Sequence, residues 1–326
     1  LALRSVGVKP GDNVLANAFT LAPVPGAIEN VGANSILVEI DENFHINIAD
    51  FAAKANASKS KFLLLSHMRG HITNMDKLVE ICKSLKIQII EDCAHTMGAK
   101  WDGKRSGNFG LVSAFSTQTY KHINSGEGGF LVTNDDEVIA KAIMHSGSYM
   151  LYEKHASSPN NDIFEKVKLK TANFSGRMDN LRSSILIPQL KDLDNKVIKW
   201  NNLYKELYDR LKTQDGIFIP NRDKREFYVG SSIQFRLKDF ADKKIQDFIK
   251  NCKKRGVDLK WFGDKNPIAY TSRYDSWEYL ENIPVLKNTL EILKTTLDMR
   301  IPLTFDNNDC RVIAEIIIEE FRKLKL

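Results

Sequence analysis

The chain has 326 residues, 43% apolar and 27% charged, which is long enough for two domains around a substantial core. Its 47 Lys and Arg against 41 Asp and Glu give a formal net charge of +6, spread along the chain apart from short clusters such as Lys253-Lys254-Arg255. That balance suits an anionic small molecule and gives no reason to expect nucleic acid. No apolar run approaches the roughly 20 residues of a membrane span and no signal peptide is visible. The four cysteines, Cys82, Cys93, Cys252 and Cys310, show no metal spacing or CxxC pair, so the chain reads as cytoplasmic with free thiols.

From Leu1 the residues read as the end of an amphipathic helix running into Gly7, Pro10 and Gly11, and the chain is expected to be a piece of a longer protein. Short apolar runs then predict strands at 13–16, 35–40, 62–66 and 87–91, with a helix over 75–85 between the last two. This rhythm implies an α/β fold with a mostly parallel sheet between helices, whose ligands bind beyond the carboxyl ends of the strands. Asp92 falls at one such end. Two further strands, 111–116 and 130–133, are joined by a loop carrying Lys121 and Gly126-Glu127-Gly128-Gly129.

From Leu181 to Leu211 the apolar positions Ile185, Leu190, Leu193, Val197, Trp200, Tyr204 and Leu207 predict one long amphipathic helix, kinked at Pro188, that links two domains. Thereafter a strand over 227–235, a helix over 239–255 and a closing helix over 311–323 predict a smaller C-terminal α/β domain, with a long loop at 263–276 suited to substrate contacts. The expected division is 1–213, the large domain including the linking helix, and 214–326, the small one.

Lys121, Asp92 and Ser116 together suggest a particular chemistry. A lysine amine forms a Schiff base with pyridoxal phosphate, and a carboxylate beside the pyridine nitrogen keeps that nitrogen protonated, so the ring becomes an electron sink. The phosphate needs hydroxyl and backbone N–H anchors at a strand end, and Ser116 is a candidate. Each residue also has a plainer reading. Lys121 alone would be a solvated surface charge, Asp92 a helix N-cap, His95 a structural hydrogen-bonder, and Glu127 a residue that orients its glycine turn. The histidines His67, His71, His122 and His145 are not at metal-ligand spacing on any one helix, and no metal is expected.

The ordered run Glu91-Asp92-Cys93-Ala94-His95-Thr96-Met97-Gly98-Ala99, then Gly103, Gly107, Phe109-Gly110, Phe115-Ser116, Lys121 and Gly126-Glu127-Gly128-Gly129, resembles the DegT-type nucleotide-sugar aminotransferases of fold type I. His67, Gly70, Met75 and Asp76 fit the same family pattern, as do Gly11-Asp12 with Thr20, Arg177-Met178, and Arg300-Ile301-Pro302-Leu303. The resemblance implies a large domain bearing pyridoxal 5'-phosphate and a smaller C-terminal domain. Lys121 would be the Schiff-base lysine, with Asp92 on the pyridine nitrogen, His95 beside the ring and Ser116 on the phosphate. It also implies a homodimer with active sites at the interface, where Ser175 stands in place of an asparagine that reaches the partner's cofactor and Arg177 is expected to bind substrate. Leu21 stands where an aromatic usually stacks on the ring. The family's Ser-Gly-Thr motif would precede Leu1. The activity implied is transfer of an amino group from an amino acid, glutamate by resemblance, to a nucleotide-linked keto sugar, giving an amino sugar for surface polysaccharide or a related glycoconjugate. A pyridoxamine-dependent keto-sugar dehydratase, with histidine in place of the lysine, is one alternative, because His122 adjoins Lys121. A non-catalytic sensor or scaffold is another.

Overall fold

The computed structural model describes residues 1–148, 150–266 and 273–325. Its centre is a six-stranded sheet in the spatial order Asn34–Val38, Asn13–Asn17, Phe62–Ser66, Gln88–Asp92, Val112–Ser116 and Gly129–Val132. The first five strands run parallel and the last antiparallel. The interior strands are apolar because helices cover both faces; Phe62–Ser66 is buried along its whole length. Met75–Leu85 forms the expected helix. Asn74 caps it by accepting from the Lys77 N–H, and it stops at Lys86 in the left-handed conformation.

A four-stranded antiparallel sheet follows, in the order Lys260–Trp261, Thr296–Arg300, Ser232–Leu237 and Ile217–Phe218. The helices Asp242–Lys254 and Asn307–Leu324 pack together beside it, contributing Ile245, Phe248, Cys252, Ala314, Ile317 and Phe321 to the main core. Burying each large apolar side chain contributes about 1.5–3 kcal/mol.

Three expectations need correction. The single helix over 181–211 is two helices, Asn180–Lys191 and Leu193–Leu211, separated at Asp192, whose N–H donates to the Pro188 carbonyl. Pro188 lies inside the first helix, lacks the N–H that would bond to the preceding turn, and the break follows it by one turn. Only the second helix behaves as a core stripe: Leu193, Val197, Trp200, Tyr204 and Leu207 are buried, whereas Ile185 and Leu190 are exposed.

The strand expected over 227–235 is also two, Glu226–Phe227 and Ser232–Leu237, in different sheets. The chain turns between them at Gly230, where a Cβ would lie 2.4 Å from Tyr204 Cβ. In the loop expected over 263–276, Tyr274–Ser276 forms a single 3₁₀ turn, and residues 267–272 lie outside the described residues. All four cysteines are buried and unpaired.

Candidate active site

Parallel register brings the carboxyl ends of three neighbouring strands together. Ser66 stands opposite Asp92, and Asp92 opposite Ala114, two residues before Ser116. A cavity of about 560 Å³ opens at these ends, and Asp92, His95, Ser116 and Lys121 all line it. Leu21, Leu64, Ile90 and Ala114 give it apolar walls.

Asp92 is held from two sides. The Ser66 hydroxyl donates to Oδ2 at 2.7 Å, the Ala94 N–H donates to Oδ1 at 3.1 Å, and Thr20 donates to the Ser66 oxygen at 2.7 Å. The chain Thr20–Ser66–Asp92 therefore fixes the carboxylate in the cavity wall. The plainer reading of Asp92 as a helix N-cap does not apply, since among the described residues no helix begins at it.

Lys121 Nζ lies 3.0 Å from His95 Nε2. The other ring nitrogen, Nδ1, accepts from the Arg69 N–H at 3.4 Å, which leaves the hydrogen of a neutral imidazole on Nε2. With that tautomer His95 can donate to Lys121 in its neutral form, the form that attacks an aldehyde. Charge and burial act the same way. Burial first, then the Lys121 and Arg69 charges, hold His95 well below its ordinary pKa. Burial likewise brings Lys121 down to about 8; Asp92 opposes this, while Arg69 and Arg300 add to it. An amine in this state is a nucleophile close to neutral pH.

Ser116 Oγ accepts from the Gln118 N–H at 3.3 Å, which leaves the hydroxyl hydrogen free to donate into the cavity. Gly128 and Glu127 complete that side. Gly126 and Gly128 have the positive φ expected of the turn, +87° and +129°, whereas Gly129 is required for close approach: a Cβ there would lie 2.4 Å from the Phe115 carbonyl oxygen.

His122 turns away from Lys121. Its Nε2 lies 2.9 Å from Ser231 Oγ, its ring packs edge-on to Trp200, and burial pushes its pKa down to about 3. Ser175 and Arg177 are exposed on the surface of the single chain and do not line the cavity; Arg177 contacts Ser148 at 3.4 Å.

Glu91, beside Asp92 on the strand, faces the opposite side of the sheet. It accepts from His67 at 3.2 Å and from the N–H groups of Gly107, Phe109 and Gly110 at 3.0, 2.7 and 2.7 Å. Burial raises this carboxyl, but the His67 and backbone hydrogen bonds outweigh it and hold the pKa below the ordinary range. Glu91, with His67, is thus the centre of a buried hydrogen-bonding cluster that ties the glycine-containing loop beneath the strand, while the neighbouring Cys93 Sγ lies 3.3 Å from Ser106 Oγ. Sequence reasoning assigned no role to Ser66 or Arg69. The signal that could have found Ser66 is its place at the end of a strand predicted to neighbour the one ending in Asp92.

The model of the DegT/DnrJ/EryC1/StrS aminotransferase family matches residues 1–317. Among curated relatives, the GDP-perosamine synthase of Escherichia coli O157:H7 is 32% identical over 196 residues, covering 60% of this chain and 50% of the relative. The pleiotropic regulatory protein of Geobacillus stearothermophilus is also 32% identical over 196 residues, covering 60% of this chain and 49% of its own length. The chain therefore spans about half the length of the curated relatives it matches. In fold it is similar to an aminotransferase of Helicobacter pylori involved in the biosynthesis of pseudoaminic acid, with a TM-score of 0.83 at 17% identity, covering 99% of this chain and 84% of that one. With the family match running through the loop of Lys121 and the strand of Asp92 to the closing helix, the chain belongs to the DegT/DnrJ/EryC1/StrS aminotransferase family.

Proposed function

We propose that this chain forms the active site of a pyridoxal-phosphate-dependent aminotransferase that moves an amino group from an amino acid, glutamate by preference, to a nucleotide-linked keto sugar, yielding an amino sugar for a surface polysaccharide or related glycoconjugate. The observation that carries the reading is the meeting of a buried lysine of lowered pKa, about 8, with a fixed carboxylate in one cavity.

The residues present fit the cofactor. An amine, a carboxylate and a free hydroxyl line a single cavity whose other walls are apolar, as a flat aromatic ring with one charged arm requires. When bound, pyridoxal phosphate supplies the electron sink for breaking a bond at the amino acid's α-carbon. Lys121 would attach to the cofactor and, when released, would serve as the base and acid that moves a proton in each half reaction. Asp92, held by Ser66 and Ala94, would keep the ring nitrogen protonated. His95 would hydrogen-bond the lysine amine, and Ser116 would anchor the phosphate.

His122 weighs against the dehydratase alternative, because its ring is committed to Ser231 and Trp200 and does not line the cavity. In a homodimer, the exposed Ser175 and Arg177 would serve the partner's site, as phosphate and substrate contacts respectively.

The test is the absorption spectrum of the purified protein with pyridoxal phosphate, before and after glutamate, for the wild type and Lys121→Ala. A visible band that glutamate bleaches and that the variant lacks is the expected result. A protein that takes up cofactor with no lysine-dependent band would instead be a sensor or scaffold, and the reading would fail.

A further inference from the structure

A second cavity, of about 440 Å³, lies beside the first and is lined by Arg69, Lys260 and Arg300 together with Asp258 and Asp298. The small sheet builds it. Asp298 and Arg300 alternate onto one face of the strand Thr296–Arg300, and antiparallel register places Lys260 directly across from Asp298. Arg69 enters from the loop after Ser66, held at a positive φ of 55°.

The charges in this wall do not cancel. Asp298 is already taken by Arg69, at 2.6 Å, and by the Gln234 amide, at 2.7 Å. Asp258 is exposed and faces Lys253 at 3.6 Å. Lys260, over the Phe262 ring at 4.3 Å, and Arg300, over the Tyr120 ring at 5.0 Å, are left without an acidic partner among the described residues. Among the described residues, the buried Lys260 Nζ has no hydrogen-bond partner, and neither does Nε of Arg69, a residue 92% buried by its 8% exposure. Leaving buried donors unpaired is costly, and an anion would satisfy them. Burial and the Arg69 and Arg300 charges bring Lys260 down to about 7, with Asp298 opposing them.

The cavity is also tied to the first site. Arg300 Nη1 donates to the carbonyl of Tyr120, the residue before Lys121, at 3.2 Å, and the Arg69 N–H reaches His95.

We propose that this cavity is a substrate subsite in which Lys260 and Arg300 bind an anionic group, either a carboxylate of the amino donor or a phosphate of the nucleotide-linked sugar. The identity of the substrate rests on the aminotransferase reading, whereas the capacity to bind an anion does not. A bound anion would complete the hydrogen bonding of the wall and hold the rest of the substrate toward Lys121.

The test is calorimetry of the full chain in excess pyridoxal phosphate, titrated with glutarate and with pyrophosphate, for the wild type, Lys260→Met and Arg300→Gln. The expected result is that the wild type binds at least one of the two and that both variants weaken that binding about tenfold or more. Glutarate would assign the subsite to the amino donor and pyrophosphate to the sugar nucleotide. Lys260→Met removes a buried amine with no hydrogen-bond partner and keeps an apolar contact to Phe262, so its thermal midpoint is expected to equal or exceed that of the wild type, and lost binding would not reflect unfolding. If neither anion binds, or if both variants bind as the wild type does, the proposal is overturned. The visible band of Lys121, recorded on the same samples, separates the two readings. A band without Lys260-dependent anion binding removes the subsite alone, and anion binding without a band removes the aminotransferase alone.

Discussion

A lysine whose pKa is about 8 instead of 10.5 is a different reagent at neutral pH. Roughly one Lys121 in ten is neutral at pH 7, against about one in three thousand for an ordinary lysine. Only the neutral amine attacks an aldehyde, so reactivity rises with pH. The rate at which the Lys121 band forms should therefore climb through a midpoint near pH 8, and stopped-flow absorbance across pH 6 to 11 would show it. A midpoint near 10.5 would mean that burial does not govern the amine.

Asp92→Ala should lower the glutamate half reaction by about a hundredfold or more, since the ring nitrogen loses its carboxylate. Ser66→Ala leaves the carboxylate in place but frees one oxygen, and a loss of about tenfold or less is expected from the same measurement. Lys121, Asp92 and Ser116 were legible in the sequence because their types and order carry the chemistry. Ser66 and Arg69 were not, because their roles arise from contacts set by strand register and a left-handed backbone, across 26 residues in each case.

Among the elements, the interior parallel strands were readable as apolar runs, because they are largely buried on both faces and need no partner to explain their pattern. Two elements were misread for physical reasons. Gly230, in the middle of an apparent strand, is a point of close packing against Tyr204, and the chain changes sheet there. Asp192 interrupts a stripe of apolar residues whose first half has no core to face in this chain. Glu91 and Gly110 show how the motif holds the site from below. A Cβ on Gly110 would lie 2.4 Å from the Ile89 carbonyl oxygen, and its N–H donates to Glu91. Gly110→Ala should destabilise the protein by about 2–4 kcal/mol, read as a lowered denaturant midpoint with little change in slope. An unchanged midpoint would show that the loop relaxes freely.

For the whole molecule, the helix Asn180–Lys191 is the most informative surface. Leu181, Ile185, Ile187 and Leu190 are exposed to 74, 44, 57 and 54%, while Leu186 is the buried residue of that helix. Tyr120, adjacent to Lys121, is 75% exposed. Apolar residues gathered this densely on one helix are expected to be covered, and a second copy would cover them while bringing Ser175 and Arg177 to its neighbour's cavity. Light scattering should therefore give twice the chain mass, and the double variant Leu181→Glu, Ile187→Glu should give a monomer with a much weaker Lys121 band. A wild-type monomer with a full band would contradict the shared site.

The most direct test is chemical mapping of the cofactor's attachment. After incubation with pyridoxal phosphate, reduction with borohydride and digestion, mass spectrometry identifies the lysine that carries the adduct. Labelling confined to the peptide containing Lys121, and abolished when glutamate is added before reduction, is the predicted result. Labelling scattered over surface lysines, or held elsewhere while Lys121 stays free, would contradict the site described here.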